Sequence, residues 1–165
     1  MSADPLQGAG VHATAVVYGE SGVLILGPSG AGKSALALAL LSDARRTGRF
    51  GALVGDDRVY LRSAGGRLVA YGVKPTAGMI ERRGAGLLRV ASEPAAVIRL
   101  IVELSGRDRT WPRLPDDPDL IAIEGVSVPR LALNSSESAS DQALAVADRL
   151  FECDREFIFR KTNFT

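Results

Sequence analysis

The stretch LILGPSGAGKSALALALL, residues 24–41, decides the fold class. Its members Gly27, Gly32, Lys33 and Ser34 fit the pattern G-x-x-x-x-G-K-[ST] of a phosphate-binding loop, or P-loop. The pattern requires a strand before it and a helix after it. An apolar run precedes the loop here, and an Ala- and Leu-rich segment follows it. The sequence therefore predicts an α/β protein with a P-loop nucleotide-binding domain.

The residue types in this loop suit the binding of a chain of phosphates. Glycines tolerate positive φ, so successive backbone N–H groups can point at phosphate oxygens beside the positive end of the following helix. A lysine adds a mobile positive charge, and a serine hydroxyl is a ligand for Mg²⁺. The predicted nucleotide-binding residues are Gly27, Pro28, Ser29, Gly30, Ala31, Gly32, Lys33 and Ser34. The motif leaves open whether the phosphate goes to water, to a small molecule or to a protein side chain.

The composition bounds the class of protein. With 165 residues, 46% hydrophobic and 24% charged, the chain predicts one globular domain over residues 1–165, with a loose arm over 1–10 and a tail of unassigned role over 152–165. A net charge of +1 gives no reason to expect nucleic acid or a membrane as partner. One cysteine and one histidine exclude a disulfide framework and disfavour a zinc cluster. The chain shows neither a signal peptide nor an apolar run of about 18 residues, so we predict a cytoplasmic protein.

The rest of the chain predicts a mixed arrangement of strands and helices. A hairpin turn at Gly65-Gly66 is notable because a simple doubly wound βαβ fold would not need one. The predicted elements are strands over 16–18 and 23–26 with a turn over 19–22, a helix over 33–46 stopped by Gly48, two or three strands over 52–73, a loop over 74–90, a short helix running into a strand over 94–106, a loop over 107–119, a strand over 120–133 broken at Gly125 and Pro129, and a helix over 138–154 capped by Ser140 or Ser138.

Three acidic segments are candidates for binding Mg²⁺, or for orienting or deprotonating the nucleophile, beside the loop. Asp56 and Asp57 lie in an apolar strand context, where neighbouring side chains point to opposite faces, so that one carboxylate faces inward; a strand-end charge pair with Arg58 is the alternative. Glu81 stands beside two arginines, which is also typical of a surface salt-bridge cluster. Glu124 ends an apolar strand as the metal-holding acid of some ATPases does, a pattern that any buried strand ending in an acid matches.

Several segments, taken in order, resemble one family, HPr kinase/phosphorylase, over about residues 11–133. The matching segments are HATAVVYGESGVLILGPSGAGKS at 12–34, the paired-Asp strand LVGDDRVYL at 53–61, GVKPTAGMIERRGAGLL at 72–88, PRLP at 112–115 and GVSVPRL at 125–131. The third segment resembles the family signature E-I-R-G-hydrophobic-G, which here reads ERRGAG. Since a phosphate loop alone is common, the paired aspartates and this signature carry the resemblance.

The resemblance implies a phosphoenolpyruvate carboxykinase-like fold, with a mixed sheet and flanking helices, and an ATP- and Mg²⁺-dependent kinase. The enzyme would phosphorylate a serine of the phosphocarrier protein HPr and act in reverse with phosphate, and it would assemble as a homo-oligomer, a hexamer. Carried over by position, the catalytic residues are Asp56 as base, Asp57 in support, Arg83 at the transferring phosphoryl group and His12 near the catalytic acid. The metal would be approached by Ser34 and Glu81.

The chain departs from the longer members of that family in two respects. Those members carry an N-terminal domain and a P-G-R-N segment near the C-terminus, whereas residues 131–150 here read LALNSSESASDQALAVADRL. The chain therefore resembles the short form found in some proteobacteria. Two alternatives stay open: a small-molecule kinase that uses the same loop, and a nucleotide-sensing regulatory module that transfers nothing.

Overall fold

A computed structural model describes residues 9–105 and 120–162 of the chain. These residues form a mixed α/β fold. The strands are β1 (Ala9–Val11), β2 (Thr14–Tyr18), β3 (Ser21–Leu26), β4 (Gly51–Gly55), β5 (Val59–Ala64), β6 (Arg67–Tyr71), β7 (Met79–Arg82), β8 (Gly86–Arg89), β9 (Ala95–Ser105), β10 (Leu120–Ile123) and β11 (Val126–Asn134). The helices are α1 (Lys33–Arg46) and α2 (Ala139–Thr162), with one 3₁₀ turn at Lys74–Thr76. No helix in this part of the chain is long and apolar enough to cross a membrane.

Nine of the strands form one curled mixed sheet around β9. The order is β1-β5-β6-β9-β3-β2-β4, with β11 also paired to β9 and β10 paired to β11. The first residues of β9 pair antiparallel with β6, and its later residues pair parallel with β3 and with β11. The remaining strands, β7 and β8, form a separate antiparallel hairpin. The long central strand therefore ties together the parallel and antiparallel parts of the sheet.

Each face of the sheet buries its own hydrophobic core. Val23 and Ile25 of β3 point to the face covered by α1 and α2, where they pack with Leu36 and Leu40 of α1. Leu24, between them, points to the opposite face and belongs to a second cluster with residues of β4, β5, β6 and β9. The alternation follows from the two-residue period of a strand. Burial on both faces fixes β3, and with it the position of the loop that follows.

Several sequence predictions are confirmed around the first helix. The helix runs over Lys33–Arg46, as predicted, and Gly48 adopts a left-handed backbone just beyond it. The strands before the loop and the hairpin at Gly65-Gly66 are also present, and the segment predicted as two or three strands contains three. The predicted loop over 107–119 and the PRLP segment lie outside the described residues.

The prediction of a short helix before the strand at residues 94–106 is wrong. Residues Ala95–Ser105 form the single strand β9. The apolar run shows no clear alternation because both of its faces are buried and it has neighbours on both sides, so its period could not distinguish strand from helix.

The prediction of an irregular loop over residues 74–90 is wrong for most of its length. The segment contains the 3₁₀ turn and then the β7–β8 hairpin. Gly84 and Gly86 have φ angles of 79° and 78°, which allow the tight reversal. Ile80 is fully buried in the core under α1 and anchors the hairpin.

The C-terminal elements differ from the predictions in two details, and they decide between the two serines predicted to cap the second helix. Pro129 does not break β11, because the pairing of β11 with β9 begins only at Arg130. Ser138, not Ser140, caps α2: its hydroxyl oxygen accepts the backbone N–H of Asp141, and the Asp141 carboxylate accepts the hydroxyl hydrogen. The helix continues to Thr162, so the segment assigned to a tail begins within α2.

Candidate functional site

A cavity of about 590 Å³ lies where the end of β3 passes into α1. Its walls come from the start of β2, the glycine-rich loop (residues 27–34), the first turns of α1, the link between β4 and β5, and the β7–β8 hairpin. The lining residues are His12, Thr14, Ser29, Gly30, Gly32, Lys33, Ser34, Ala35, Leu38, Asp56, Asp57, Glu81, Arg82 and Arg83. Every catalytic and metal residue predicted from the sequence thus lies at one place.

The backbone of the glycine-rich loop has the conformation that its glycines predict. Gly30 and Gly32 have φ angles of 80° and 100°, a region that residues with a side chain rarely adopt. Gly27 lies beneath the loop, where an added Cβ would approach Leu104 to 3.0 Å. Gly27, Pro28 and Ala31 do not line the cavity and instead form the base of the loop. The N-terminus of α1 opens directly at the cavity, which favours anions there.

Lys33 is buried at the root of this loop, with 7% of its surface exposed. Its ammonium group donates hydrogen bonds to the carbonyl oxygens of Gly27 at 2.9 Å and of Pro28 at 3.1 Å. Burial lowers the pKa of the Lys33 ammonium below its usual value, and the charges of Asp57 and Asp56 offset part of that effect. Lys33 is thus a positive charge held by the loop itself.

Asp56 is the most highly connected side chain of the cavity. Its Oδ1 accepts hydrogen bonds from Thr14 Oγ1 and from Ser34 Oγ, each at 2.8 Å. Its Oδ2 accepts the backbone N–H of Glu81 at 3.2 Å. Asp56 therefore joins strand β2, helix α1 and the β7–β8 hairpin at a single carboxylate.

Asp57 differs from its neighbour in conformation and in exposure. The prediction that the two aspartates lie within a strand is wrong. They lie in the link between two strands, because β4 ends at Gly55 and β5 begins at Val59. Asp57 has a φ angle of 67° and an 80% exposed side chain, which contacts Nε2 of His12. The predicted histidine thus lies beside Asp57 and not beside Asp56. Aspartate is among the residues that adopt this left-handed backbone most readily.

The β7–β8 hairpin brings three charged side chains to the other side of the cavity. Glu81 is exposed beside Asp56, and the guanidinium group of Arg83 lies about 3.4 Å from where a Cβ on Gly30 would be. Arg82 lines the same cavity. Within residues 9–105 and 120–162, Arg82 and Arg83 form no side-chain hydrogen bond or ion pair. Their guanidinium groups are therefore available to an anion that occupies the cavity.

The sequence did not predict two polar lining residues, Thr14 and Arg82, or the two apolar ones, Ala35 and Leu38, and one candidate lies elsewhere. Thr14 was missed because a threonine in a strand is an ordinary β-former. Arg82 was missed although it directly precedes Arg83, and the doubled arginine was the available sign. Glu124 lies in the turn between β10 and β11 with a φ angle of 51° and does not line the cavity, so the strand-end metal site proposed for it is not supported.

The charged groups could serve a metal only together with a ligand. In the described part of the chain, no three His, Cys, Asp or Glu residues are grouped so that they could hold a metal ion. The oxygen atoms of Ser34, Asp56 and Glu81 nevertheless face one cavity. Mg²⁺ is commonly bound by one or two carboxylates together with substrate phosphates and water, and this set of donors suits that mode.

A family model described as the HPr serine kinase C-terminal domain matches residues 7–147. Among curated proteins, the HPr kinase/phosphorylase of Clostridium beijerinckii is 32% identical over 132 residues, 74% of this chain and 42% of that protein. The enzyme of the same name from Caldicellulosiruptor bescii is 35% identical over 133 residues, 74% of this chain and 40% of that protein. The chain thus spans about two fifths of the length of these relatives.

A solved structure has a similar fold. The HPr(Ser) kinase/phosphatase from Coxiella burnetii superposes with a TM-score of 0.73 and 24% sequence identity. The match covers 88% of this chain and 99% of that one. The curled mixed sheet and the two helices are therefore an arrangement found in a known structure.

Proposed function

The chain belongs to the family of the HPr serine kinase C-terminal domain, and from this premise we propose that it is an ATP- and Mg²⁺-dependent protein serine kinase. Its acceptor would be HPr or a related phosphocarrier protein, the substrate that the names of its relatives indicate. The single observation that carries the proposal is the Ser34–Asp56 hydrogen bond, which joins the glycine-rich loop to a carboxylate in a cavity with free arginines.

We propose that the glycine-rich loop is a P-loop and binds the phosphates of ATP. The positive φ angles of Gly30 and Gly32 and the N-terminus of α1 support this assignment, since both present N–H groups to an anion. Lys33 would turn from its loop carbonyls toward the β- and γ-phosphates. Mg²⁺ would be held by the Ser34 hydroxyl and Glu81 together with the phosphates, and when bound it would neutralise charge on them.

Transfer then requires a base and cations around the moving phosphoryl group. The Asp56 carboxylate would accept the proton of the acceptor hydroxyl while that oxygen bonds to the γ-phosphorus and the bond from phosphorus to the bridging oxygen of ADP breaks. A carboxylate has about four lone-pair sites, so three bound donors leave room for the acceptor. Arg83, beside Gly30, would stabilise the charge on the transferring group, and Asp57 with His12 would support Asp56.

Further features are proposed on the same premise. The fold would be of the phosphoenolpyruvate carboxykinase-like type, and the protein would act in the cytoplasm, where ATP is available, as a homo-oligomer, in the family a hexamer. The reverse, phosphate-dependent dephosphorylation would use the same groups, with Asp56 protonating the leaving serine oxygen.

The test is incubation of the purified chain with HPr, Mg²⁺ and ATP, followed by the intact mass of HPr. We expect HPr to gain the mass of one phosphoryl group. In Asp56→Asn this gain should be lost, because an amide cannot accept the proton of the acceptor hydroxyl. The affinity of the variant for ATP should stay within about threefold of the original, since Asp56 is placed to face the acceptor. Asp57→Asn is the matched control, because it changes the same chemistry one residue away. Loss of transfer in Asp57→Asn with transfer retained in Asp56→Asn would assign the base to Asp57.

Two other results would replace the proposal. Binding of HPr with no phosphorylation under any nucleotide condition would indicate a nucleotide-sensing regulatory module. Phosphorylation of a metabolite in a parallel screen, with HPr unmodified, would indicate a small-molecule kinase.

A further inference from the structure

Thr14 is the cavity residue whose role no motif explains. Its side chain is fully buried, and its hydroxyl donates a hydrogen bond to Asp56 Oδ1 at 2.8 Å. We propose that Thr14 is a positioning residue that fixes the orientation of the Asp56 carboxylate throughout phosphate transfer. The proposal deepens the proposed kinase function and rests on it for its catalytic consequence, although not for its structural one.

The backbone places Thr14 and Asp56 opposite each other. Strands β2 and β4 are antiparallel, and Ala15 of β2 is paired with Gly55 of β4. One step beyond this pair, the register brings Thr14 opposite Asp56. The register is irregular between Ala15 and Val16, which is the kind of bulge that redirects side chains next to functional sites. The contact is therefore set by the sheet and not by a flexible loop.

Gly55 lets the chain pack closely at the start of the β4–β5 link. A Cβ at Gly55 would lie 2.8 Å from Cγ1 of Val59 and 3.0 Å from the carbonyl oxygen of Arg58. The residue before Asp56 therefore has no room for a side chain. Thr14 is the first residue of β2 and lies between Ala13 and Ala15, which are fully buried as well. The hydroxyl and the carboxylate are consequently held at hydrogen-bond distance from both sides.

The three described donors to Asp56 differ in what else they do. Ser34 donates with the same hydroxyl that we propose as a ligand of Mg²⁺, and Glu81 donates its backbone N–H from the hairpin that carries the second proposed ligand, so both positions would respond to the bound metal and nucleotide. Thr14 is buried in the sheet and is not among the proposed ligands of Mg²⁺. Thr14 is thus the donor whose geometry stays the same before, during and after the reaction.

This constancy matters because a base must point one lone pair at the acceptor. With Thr14 and Ser34 on Oδ1 and the Glu81 N–H on Oδ2, the carboxylate keeps one open direction. Without the Thr14 hydroxyl, the carboxylate is held only by groups that move with the metal. A misplacement of about 1 Å at a reacting group costs on the order of 100-fold in rate.

The experiment compares the full chain with Thr14→Val and Thr14→Ser. Valine keeps the shape and removes the donor, whereas serine keeps the donor and removes a methyl group. We expect Thr14→Val to lower kcat by about 10- to 100-fold, with the KM values for ATP and HPr within about twofold of the original. Thr14→Ser should restore kcat to within about threefold, even where its thermal stability is lower.

A matched control separates positioning from general destabilisation. Tyr18 is also buried and also donates its hydroxyl hydrogen to an aspartate, Asp43, at 2.5 Å, but this pair does not line the cavity. Tyr18→Phe should lower thermal stability and leave kcat unchanged. The proposal is overturned if Thr14→Val retains full kcat, if Thr14→Ser falls as far as Thr14→Val, or if the loss in Thr14→Val matches only the fraction of unfolded protein.

Crystal structures of Thr14→Val keep this inference separate from the kinase proposal. They would be solved with and without Mg²⁺ and a non-hydrolysable ATP analogue. We expect the Asp56 carboxylate to rotate or to occupy two positions in the variant and one position in the original chain. A single unchanged position in both ligand states would overturn the positioning role. If the original chain transfers no phosphate to HPr, the kinase proposal fails, and these structures still decide on Thr14.

Discussion

Lys33 shows how one residue can be costly to the fold and yet suited to its site. Its ammonium is buried, and among the residues that the structure describes it donates hydrogen bonds to the two loop carbonyls alone, so it lacks the hydration that an exposed lysine keeps. Its lowered pKa expresses that cost. An incoming phosphate chain would supply the missing negative charge.

The pH dependence of stability follows from this lowered pKa. The unfolded chain holds the lysine proton up to its ordinary value of 10.5, whereas the folded chain loses it earlier. Between these two values the unfolded state binds more protons, so the free energy of unfolding contributed by Lys33 rises with pH. The cost is fully present below the folded pKa and is relieved across that window.

Lys33→Met tests both consequences. Denaturant unfolding from neutral pH to 10.5 should show that the original chain gains stability relative to the variant toward the alkaline end. Nucleotide affinity, measured by calorimetry, should fall in the variant because a positive charge at the loop is lost. Parallel stability curves for the two proteins, or equal affinities, would contradict the assignment.

At the scale of elements, the sequence predicted what local chemistry determines and missed what tertiary contacts determine. Helix α1 and the glycine turns were predictable because propensity and positive-φ residues act locally. The β9 strand was mistaken in part because burial on both faces erased its alternation. The β7–β8 hairpin depends on the packing of Ile80 in the core under α1, and the residues next to Ile80 in the sequence do not predict this contact.

The same division applies to the candidate site. The glycine-rich loop could be recognised from its spacing alone. Asp56, Glu81 and Arg83 stood out only through family resemblance, because in isolation each also fits an ordinary surface charge. Thr14 could not be found, since its importance lies in the register of β2 against β4.

The positive φ angle of a glycine in the loop between β3 and α1 leads to a prediction about nucleotide binding. Gly32→Ala forces a residue with a side chain to a φ of 100°, and Gly48→Ala does the same at 71°, both with open space around the new methyl group. Each change should lower stability by about 1–2 kcal/mol. Only Gly32→Ala should weaken nucleotide binding, by about tenfold or more, because only it redirects N–H groups at the phosphates. Equal nucleotide affinity in both variants would contradict the role of the loop.

The start of α2 makes a second prediction at this scale. Ser138→Ala removes the hydroxyl that accepts the Asp141 N–H and should cost about 1 kcal/mol in the free energy of unfolding. Ser140→Ala, two residues into the same turn, should change it by less than about 0.5 kcal/mol. Chemical denaturation of both variants measures the difference, and a larger effect from Ser140 would show that the cap is assigned to the wrong serine.

At the scale of the whole molecule, a polar cluster joins the end of α1 to the sheet away from the cavity. Asp43 accepts hydrogen bonds from Tyr18 of β2 and from Arg46, while Arg49 donates to the Tyr18 hydroxyl. The hydrogen bond from Tyr18, followed by that from Arg46, lowers the pKa of the Asp43 carboxyl. The cluster therefore couples helix to sheet through an ionised group.

This coupling predicts a defined acid sensitivity. The stabilisation from Asp43 is fully present above its ordinary pKa of 3.8 and is lost as the pH falls through the lower folded value. Asp43→Asn should cost about 1.5–3 kcal/mol near neutral pH, the range for hydrogen bonds to charged groups. The difference in the free energy of unfolding between the original chain and the variant should disappear in strong acid, as measured by urea unfolding at a series of pH values. A difference that persists unchanged in acid would rule out this source of stability.

The convergence of three distant segments on Asp56 has a consequence for how the molecule matures. Thr14, Ser34 and Glu81 come from the early strands, the first helix and the later hairpin, and the full set of contacts with Asp56 exists only when all three have docked. A partly folded chain would have its helices and strands but not the complete set of contacts with Asp56. During refolding, the proposed phosphate transfer should consequently recover later than the secondary structure. A chain that lacks one of the three segments should show no transfer.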